Sequence, residues 1–296
     1  MKTIYVLGSL NMDLVISSDR LPIQGETLKG KNFSTCPGGK GLNQAIAAAK
    51  IGAKVKMLGA VGNDVFGEEL INALKINKVD VSHIRHIENA SSGVAIIVLC
   101  NNDNRIILDL GANLLIENDN VDQFLFDARE GDIFLTQLEN EINIIGYALE
   151  VAKKKNMITI VNPAPMNIDI LKFKNYIDVL TPNELELKDL LKDTSLIDIG
   201  ITNIIETRGK EGYRYFFNGK KEIQNKAIEV NVVDTTGAGD TFNGALSYQL
   251  SIGNKLDENS LDFASLAASI SITRKGSSSS SPTLLEVNNY NKKHYC

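Results

Sequence analysis

Short, uninterrupted apolar runs punctuate this chain at intervals that leave room for a helix between them. The first, Thr3 to Leu7, shows no polar alternation and is ended by Gly8 and Ser9, as expected of a strand buried on both faces. Val55 to Leu58, Ile133 to Thr136, Met157 to Val161, Val179-Leu180 and Asn203 to Ile205 repeat the pattern. Most of them alternate with helical patterns such as Leu42 to Lys50 and Ile142 to Lys154. This alternation predicts an α/β domain with a mainly parallel sheet.

Two stretches break the rhythm. Asp13 to Phe33 and Gly93 to Asp109 are rich in strand and turn residues with no helix between the strands, and N-N-D-N at 101 to 104 reads as the turn of an antiparallel hairpin. A small β-rich flap projecting from the core accounts for both stretches; an edge hairpin of the main sheet is the alternative. Further on, I-E-V-N-V-V at 228 to 233 has a strand pattern and precedes an amphipathic helix that ends at Gly253. A helix rich in small residues, Phe263 to Arg274, is followed by S-S-S-S-S-P at Ser277 to Pro282, which by composition is a flexible linker.

Composition changes the picture little. At 296 residues, with 43% hydrophobic and 23% charged residues and no repeat or long linker, the chain reads as a single globular domain, 1–296, with the flap segments inside it. A net charge of -5 argues against a broad grip on nucleic acid or anionic membranes, although it leaves room for a small basic pocket. Cys36, Cys100 and Cys296 are far apart and form no C-x-x-C pair, so neither a disulfide framework nor a Cys/His metal site is expected. The apolar run Ile4 to Leu7 is too short for a secretory or membrane segment, so a cytoplasmic location is expected.

Candidate chemistry gathers at two glycine-rich helix starts. In G-A-G-D-T-F-N-G-A-L, Gly237 to Leu246, small residues before a helix let backbone N–H groups approach an anion, which the helix dipole also favours. Asp240 lies in the first turn, where a plain N-terminal cap and a catalytic base look alike. In P-G-G-K-G-L-N-Q-A, Pro37 to Ala45, adjacent glycines lead into a second helix with Gly52 as its C-cap. Asn43 and Gln44 in its first turn, with Asn11 and Asp13 after strand one, offer polar groups suited to sugar hydroxyls, although N-M-D is also common in structural turns. No G-x-x-x-x-G-K-[ST] run is present, and Lys40 reads as a surface lysine rather than a substitute for the Walker lysine.

G-G-K-G-L-N-Q-A, Gly52, Gly62 and D-T-T-G-A-G-D-T-F-N-G-A together resemble both signature regions of the ribokinase-like carbohydrate kinase family. G-S-L-N-M-D, G-E-T, Q-L-E, N-P-A-P, T-P-N-E and T-R-K-G add matches in order along nearly the whole chain. The resemblance implies a three-layer α/β/α core with a mainly parallel sheet and a small β-rich lid, segments 13–33 and 93–109, through which two copies pair as a homodimer. It implies ATP-dependent phosphorylation of D-ribose at the 5-hydroxyl. Asp240 would be the general base, with Gly237, Ala238, Gly239 and Asp240 forming an anion hole. The sugar would lie against Asn11, Met12, Asp13, Gly39, Lys40, Gly41, Leu42, Asn43 and Glu139 as well as Asp240. Carboxylates suit that task, because a missing hydroxyl would leave a desolvated acceptor unpaired.

For ATP, the resemblance points to Asn183, the T-R-G-K-E-G turn (Thr207, Arg208, Gly209, Lys210, Glu211, Gly212), Gly239, Asp240 and Ser265. Glu186 of T-P-N-E-L-E would help hold hydrated Mg²⁺, and the same pair also reads as a helix start with Asn183 as cap and Glu186 as its capping-box partner. The serine run becomes a loop for an activating K⁺, with ligands from Asp234, Thr236, Ser271, Arg274, Gly276 and Ser280. Ser265 departs from the asparagine that many members carry beside the adenine. Between Leu191 and Asn203 the chain is shorter than the family's pattern, so a peripheral helix is expected to be missing. Another acceptor on the same fold (deoxyribose, fructose or a nucleoside) or a non-catalytic sugar binder are the alternative readings.

Overall fold

The computed structural model describes residues 1–100 and 103–294. Its strands are β1 (Thr3–Leu7), β2 (Asn11–Ser17), β3 (Lys31–Gly38), β4 (Lys54–Gly62), β5 (Asp80–Ile87), β6 (Gly93–Cys100), β7 (Asp103–Asp109), β8 (Ile133–Thr136), β9 (Ile158–Val161), β10 (Val179–Leu180), β11 (Asn203–Thr207), β12 (Tyr213–Phe217) and β13 (Lys220–Asn225). The helices are α1 (Lys40–Ile51), α2 (Val65–Ile76), α3 (Asn118–Leu125), α4 (Ile142–Lys154), α5 (Glu184–Leu190), α6 (Leu196–Ile199), α7 (Ala238–Ser251), α8 (Glu258–Ser271) and α9 (Leu284–His294).

Nine strands form one sheet in the order β13-β12-β11-β10-β9-β8-β1-β4-β5. From β5 to β11 every pairing is parallel, and β12 and β13 add an antiparallel edge. β1 shows why its sequence is apolar throughout. Ile4 and Val6 join a core with Leu42 and Ile46 of α1 and Phe242 and Leu246 of α7. Tyr5 and Leu7 point the other way, into a second core with Phe124 of α3 and Ile145 and Leu149 of α4. The central strand is therefore covered on both sides, which makes the three layers.

The irregular stretches form a separate four-stranded sheet in the order β3-β2-β6-β7. Its first two strands extend beyond the 13–33 segment, β2 back to Asn11 and β3 on to Gly38, so this sheet runs directly into the site described below. β6 and β7 pair antiparallel as the hairpin pattern predicts. Asn101 and Asn102 of its turn, and Cys296, lie outside the described residues.

Two expectations need correction. Ile228 to Val233 is not a strand: β13 ends at Asn225 and closes that edge, and the Val233 N–H donates instead to the Ile272 carbonyl at 2.8 Å. Ile228 packs against the edge of the first core, whereas Val232 is 60% and Val233 54% exposed. The short connection between Leu191 and Asn203 does hold a helix, the single turn α6, capped by Ser195 and ended by Gly200 in the left-handed region.

Candidate active site

The strand order changes direction between β1 and β8, so the chain segments leaving their carboxyl ends diverge and open a crevice, the usual ligand position in a parallel sheet. Ser9 and Asn11 follow β1, Glu139 follows β8, Asn162 follows β9, and Asn183 follows β10. Gly39 and Gly41 let the start of α1 settle on this crevice. Gly39 has φ of 91°, and a Cβ there would lie 2.8 Å from both Asn11 N and Ser9 O; a Cβ at Gly41 would lie 2.5 Å from Ser9 N. Only glycine permits that approach.

Glu139 is buried at the centre of this junction. It accepts hydrogen bonds from the Ser9 hydroxyl, from Lys40 N at 3.2 Å and from Asn11 Nδ2 at 3.4 Å. Asn11 is fixed in turn by Asn113, whose Nδ2 donates to Asn11 Oδ1 at 2.8 Å and to Leu110 O at 2.8 Å, while its Oδ1 accepts from Leu10 N at 2.9 Å. Burial raises the Glu139 pKa, opposed by Lys40, Ser9 and the Lys40 N–H. The Asp13 carboxyl is pushed up to about 7 by burial first, then by the charges of Glu139 and Asp240. Lys40 is not the surface lysine its sequence suggests. Burial pulls its pKa down, but the carboxylates of Asp240, Glu139, Glu186 and Asp13 outweigh burial and leave it raised. One ammonium thus stands among four carboxylates.

Asp240 is not the cap of its helix. Gly237, with φ of 76°, is the N-cap of α7, and the Asp240 side chain turns away from the helix end toward α1. Its Oδ2 accepts from Asn43 Nδ2 at 2.9 Å and its Oδ1 from Gln44 Nε2 at 3.0 Å. Gln44 is itself held, donating to Asn162 Oδ1 at 3.1 Å and accepting from Gln137 Nε2 at 2.7 Å. Gly239 and Asp240 stand in the first turn of α7, where backbone amides have no intrahelical acceptor. Asn43 Oδ1, Gln137 Oε1 and Asn140 Oδ1 are buried without a hydrogen-bond partner among the described residues, exceptions to the rule that buried polar groups are paired.

At the carboxyl ends of β10 and β11, Asn183 and Thr207 form a parallel bridge, and Thr207 N donates to Pro182 O at 2.9 Å. This places T-P-N-E-L-E beside T-R-G-K-E-G. Asn183 and Glu186 close a reciprocal capping box, each side chain 2.8 Å from the other's N–H. Burial raises the Glu186 pKa, with the Asn183 N–H and Lys40 opposing and Asp240 adding to it. Gly209 to Glu211 make a 3-10 turn, and Arg208 is drawn sideways to Glu184 at 3.1 Å.

Asp234 ties the turn before α7 to the loop after α8: its Oδ1 accepts from Thr236 N and Oγ1 at 3.0 and 2.7 Å, and its Oδ2 from Gly276 N at 3.0 Å. Those bonds outweigh burial and lower its pKa. Ser271 O accepts from Arg274 N at 3.2 Å, and Ser280 Oγ donates to Ser277 O at 2.8 Å. Ser265 lies half-buried on α8, where its carbonyl accepts from Ser269 Oγ. Met12 and Leu42, expected to lie against the sugar, are fully buried in the core that α1 and α7 share. Ser9, Asn113, Gln137 and Asn162 complete the site without having been given a role in advance; Ser9, Gln137 and Asn162 lie inside the G-S-L-N-M-D, Q-L-E and N-P-A-P matches, Asn113 lies in none, and Gln44, expected with Asn43 to suit a sugar hydroxyl, holds Asp240.

Comparison with known proteins bears on the family and the fold. The model of the pfkB family of carbohydrate kinases matches residues 1–284. The chain is 38% identical over 290 residues to the ribokinase of Bacillus subtilis, covering 97% of this chain and 98% of that protein. It is 35% identical over 302 residues to the deoxyribokinase of Salmonella typhi, covering 97% and 98%. Its fold superposes on Arabidopsis thaliana ribokinase complexed with ribose and ATP with a TM-score of 0.87 at 31% identity, covering 97% and 98% of the two chains.

Proposed function

The chain belongs to the pfkB family of carbohydrate kinases, and on that premise we propose that it transfers the γ-phosphoryl group of ATP to the 5-hydroxyl of D-ribose. The observation that carries this reading is the Asp240 carboxylate, aimed by Asn43 and Gln44 at the head of α7, beside the Glu139 junction. In the proposed reaction Asp240 takes the proton of the hydroxyl as its oxygen bonds to the γ-phosphorus. The bond from that phosphorus to the β,γ-bridging oxygen breaks, and ADP leaves. Backbone N–H groups from Gly237 to Asp240 receive the charge on the phosphoryl oxygens. Asn11, Asp13, Asn43 and Glu139 hold the sugar hydroxyls, and Lys40 balances the carboxylates they bring together. The adenine side draws on Ser265 and the T-R-G-K-E-G turn.

Magnesium fits Glu186, since one of its oxygens accepts the Asn183 N–H and the other remains for a metal-bound water. Bound there with ATP, it would neutralise phosphate charge. Potassium fits the turn and loop that Asp234 ties together, with Thr236, Ser271, Arg274, Gly276 and Ser280 as the residues that would hold it, and would steady the Gly237 turn. The second sheet is the lid over the sugar and the homodimer contact: Ile96, Ile106 and Ile107 are 44%, 55% and 70% exposed on it. Among the described residues no helix is long and apolar enough to cross a membrane, and the reading places the enzyme in the cytoplasm.

The deoxyribokinase likeness makes 2-deoxyribose the second acceptor to consider. A coupled ADP-release assay with ribose, 2-deoxyribose, fructose and nucleosides separates them. Ribose is expected to have the highest kcat/KM; a higher value for another acceptor overturns the ribose assignment, and ADP release indifferent to any sugar overturns the transfer reaction.

A further inference from the structure

The serine run has the composition of a linker and yet is packed: Ser277, Ser278, Ser280 and Ser281 are all buried. Serine offers no apolar side chain to anchor a loop, so its order must come from polar partners. Some are local. Ser280 Oγ donates to Ser277 O, and the hydroxyls of Ser281 and Thr241 share a hydrogen bond of 2.9 Å. The remaining carbonyls converge on one side chain from another part of the chain. Lys50 Nζ donates to Ser278 O at 3.1 Å, Ser279 O at 2.8 Å and Ser281 O at 3.0 Å.

An ammonium has three N–H donors and no acceptor, so these carbonyls satisfy it completely. A lysine in the last turn of a helix is favoured by the helix dipole without any such arrangement. Here burial and the Arg274 guanidinium lower the Lys50 pKa, with Glu286 opposing, so the carbonyl cage also offsets a cost of keeping the charge.

The position of Lys50 on α1 gives the cage a consequence. Asn43, which holds Asp240, lies seven residues earlier on the helix, close to two turns back on the same face at about 3.6 residues per turn. The loop held by Lys50 backs the anion turn, where a Cβ at Gly237 would lie 3.0 Å from Ser277 Cα. Thr241, bonded to Ser281, is the residue after Asp240. One helix therefore grips the head of α7 twice, through the base and through the wall behind the anion turn.

We propose that Lys50 is a positioning residue for phosphoryl transfer, its ammonium acting as a tethered cation among the carbonyls of Ser278, Ser279 and Ser281 that fixes the wall on which the Gly237 turn rests. This rests on the kinase reading above. The test compares Lys50→Ala and Lys50→Arg with the wild type at fixed potassium, on whichever sugar the panel shows to be turned over. Lys50→Ala should lower kcat by about 10- to 100-fold, less than or similar to removal of an anion-hole donor, with the sugar KM within about twofold. Lys50→Arg should recover most of that loss. Propylammonium, which supplies the atoms that Lys50→Ala removes, should restore turnover, whereas sodium at equal ionic strength should not. Independently of turnover, amide exchange at 277–281 should accelerate by about tenfold in Lys50→Ala. Wild-type kcat in Lys50→Ala, unchanged exchange of the loop, or a loss that propylammonium cannot touch would each overturn the proposal. A wild-type enzyme that phosphorylates no sugar would instead sink the reaction assignment, leaving the exchange measurement to judge the tether.

Discussion

Each oxygen of the Asp240 carboxylate accepts one amide hydrogen bond, from Asn43 and from Gln44, so the group is aimed rather than free to rotate. Asp240→Asn keeps the shape and removes the basicity. Its kcat should fall by about 10²- to 10⁴-fold, while calorimetry should still detect sugar binding; turnover near that of the wild type would exclude Asp240 as the base. Asp13 supplies the pH dependence. Its folded pKa of about 7 lies above the ordinary 3.8, so the fold binds this proton more tightly than the unfolded chain does. The corresponding stability is fully present below the unfolded value and is lost as pH rises through the folded one. The melting temperature of the sugar-free protein should therefore drop between about pH 5 and about pH 8 by more than that of Asp13→Asn; parallel profiles would remove the effect. At this scale the residues around Asp240 left its role open, because cap and base both require an acid in a first helical turn, and it was the family resemblance that pointed to the base. Ser9 and Asn113 were illegible for another reason: their partners Glu139 and Asn11 lie 130 and 102 residues away, and no local pattern records such a meeting. Lys40 was misread because nothing in G-G-K-G tells that the start of α1 points into a carboxylate cluster.

Helix α1 holds both Asp240, through Asn43 and Gln44, and the serine loop, through Lys50, and its fit against α7 depends on small residues. A Cβ at Gly244 would come within 2.7 Å of Ala47 Cβ and 2.8 Å of Gln44 O. Gly244→Ala should therefore destabilise the enzyme by about 1–3 kcal/mol through overpacking, read from the midpoint of denaturant unfolding. It should also lower kcat, because the displaced backbone carries Gln44. Unchanged stability would show that the helices separate freely. The major helices and the buried parallel strands were legible because their periodicities and caps are local, Gly52 among them. Ile228 to Val233 misled because apolar alternation states a preference for a sheet without showing that a sheet edge is available. The edge strand β13, K-K-E-I-Q-N, carried almost no apolar signal, being mostly exposed.

At the scale of the molecule, the second sheet has free outer strands in β3 and β7 and an apolar surface including Ile96 and Ile107. Edges and apolar faces of that kind favour pairing with another copy. Light scattering should give the mass of a dimer, and Ile107→Asp should shift it toward the monomer; a monomeric wild type at working concentration would refute the interface. The sequence disclosed this sheet through its lack of helices, but not that β2 and β3 continue into the crevice, since Asn11 and Gly38 look like the turns beside them. The crevice itself is assembled from distant chain positions. Asn43 meets Asp240 across 197 residues, and Ser9 meets Glu139 across 130. Loops of that length must close before either contact contributes anything to stability. During synthesis, an emerging chain can therefore form β1 and α1 early, yet it lacks Asp240, the base proposed above, until about four-fifths of its length has been made, and on that proposal competence to transfer phosphate arrives among the last events of folding.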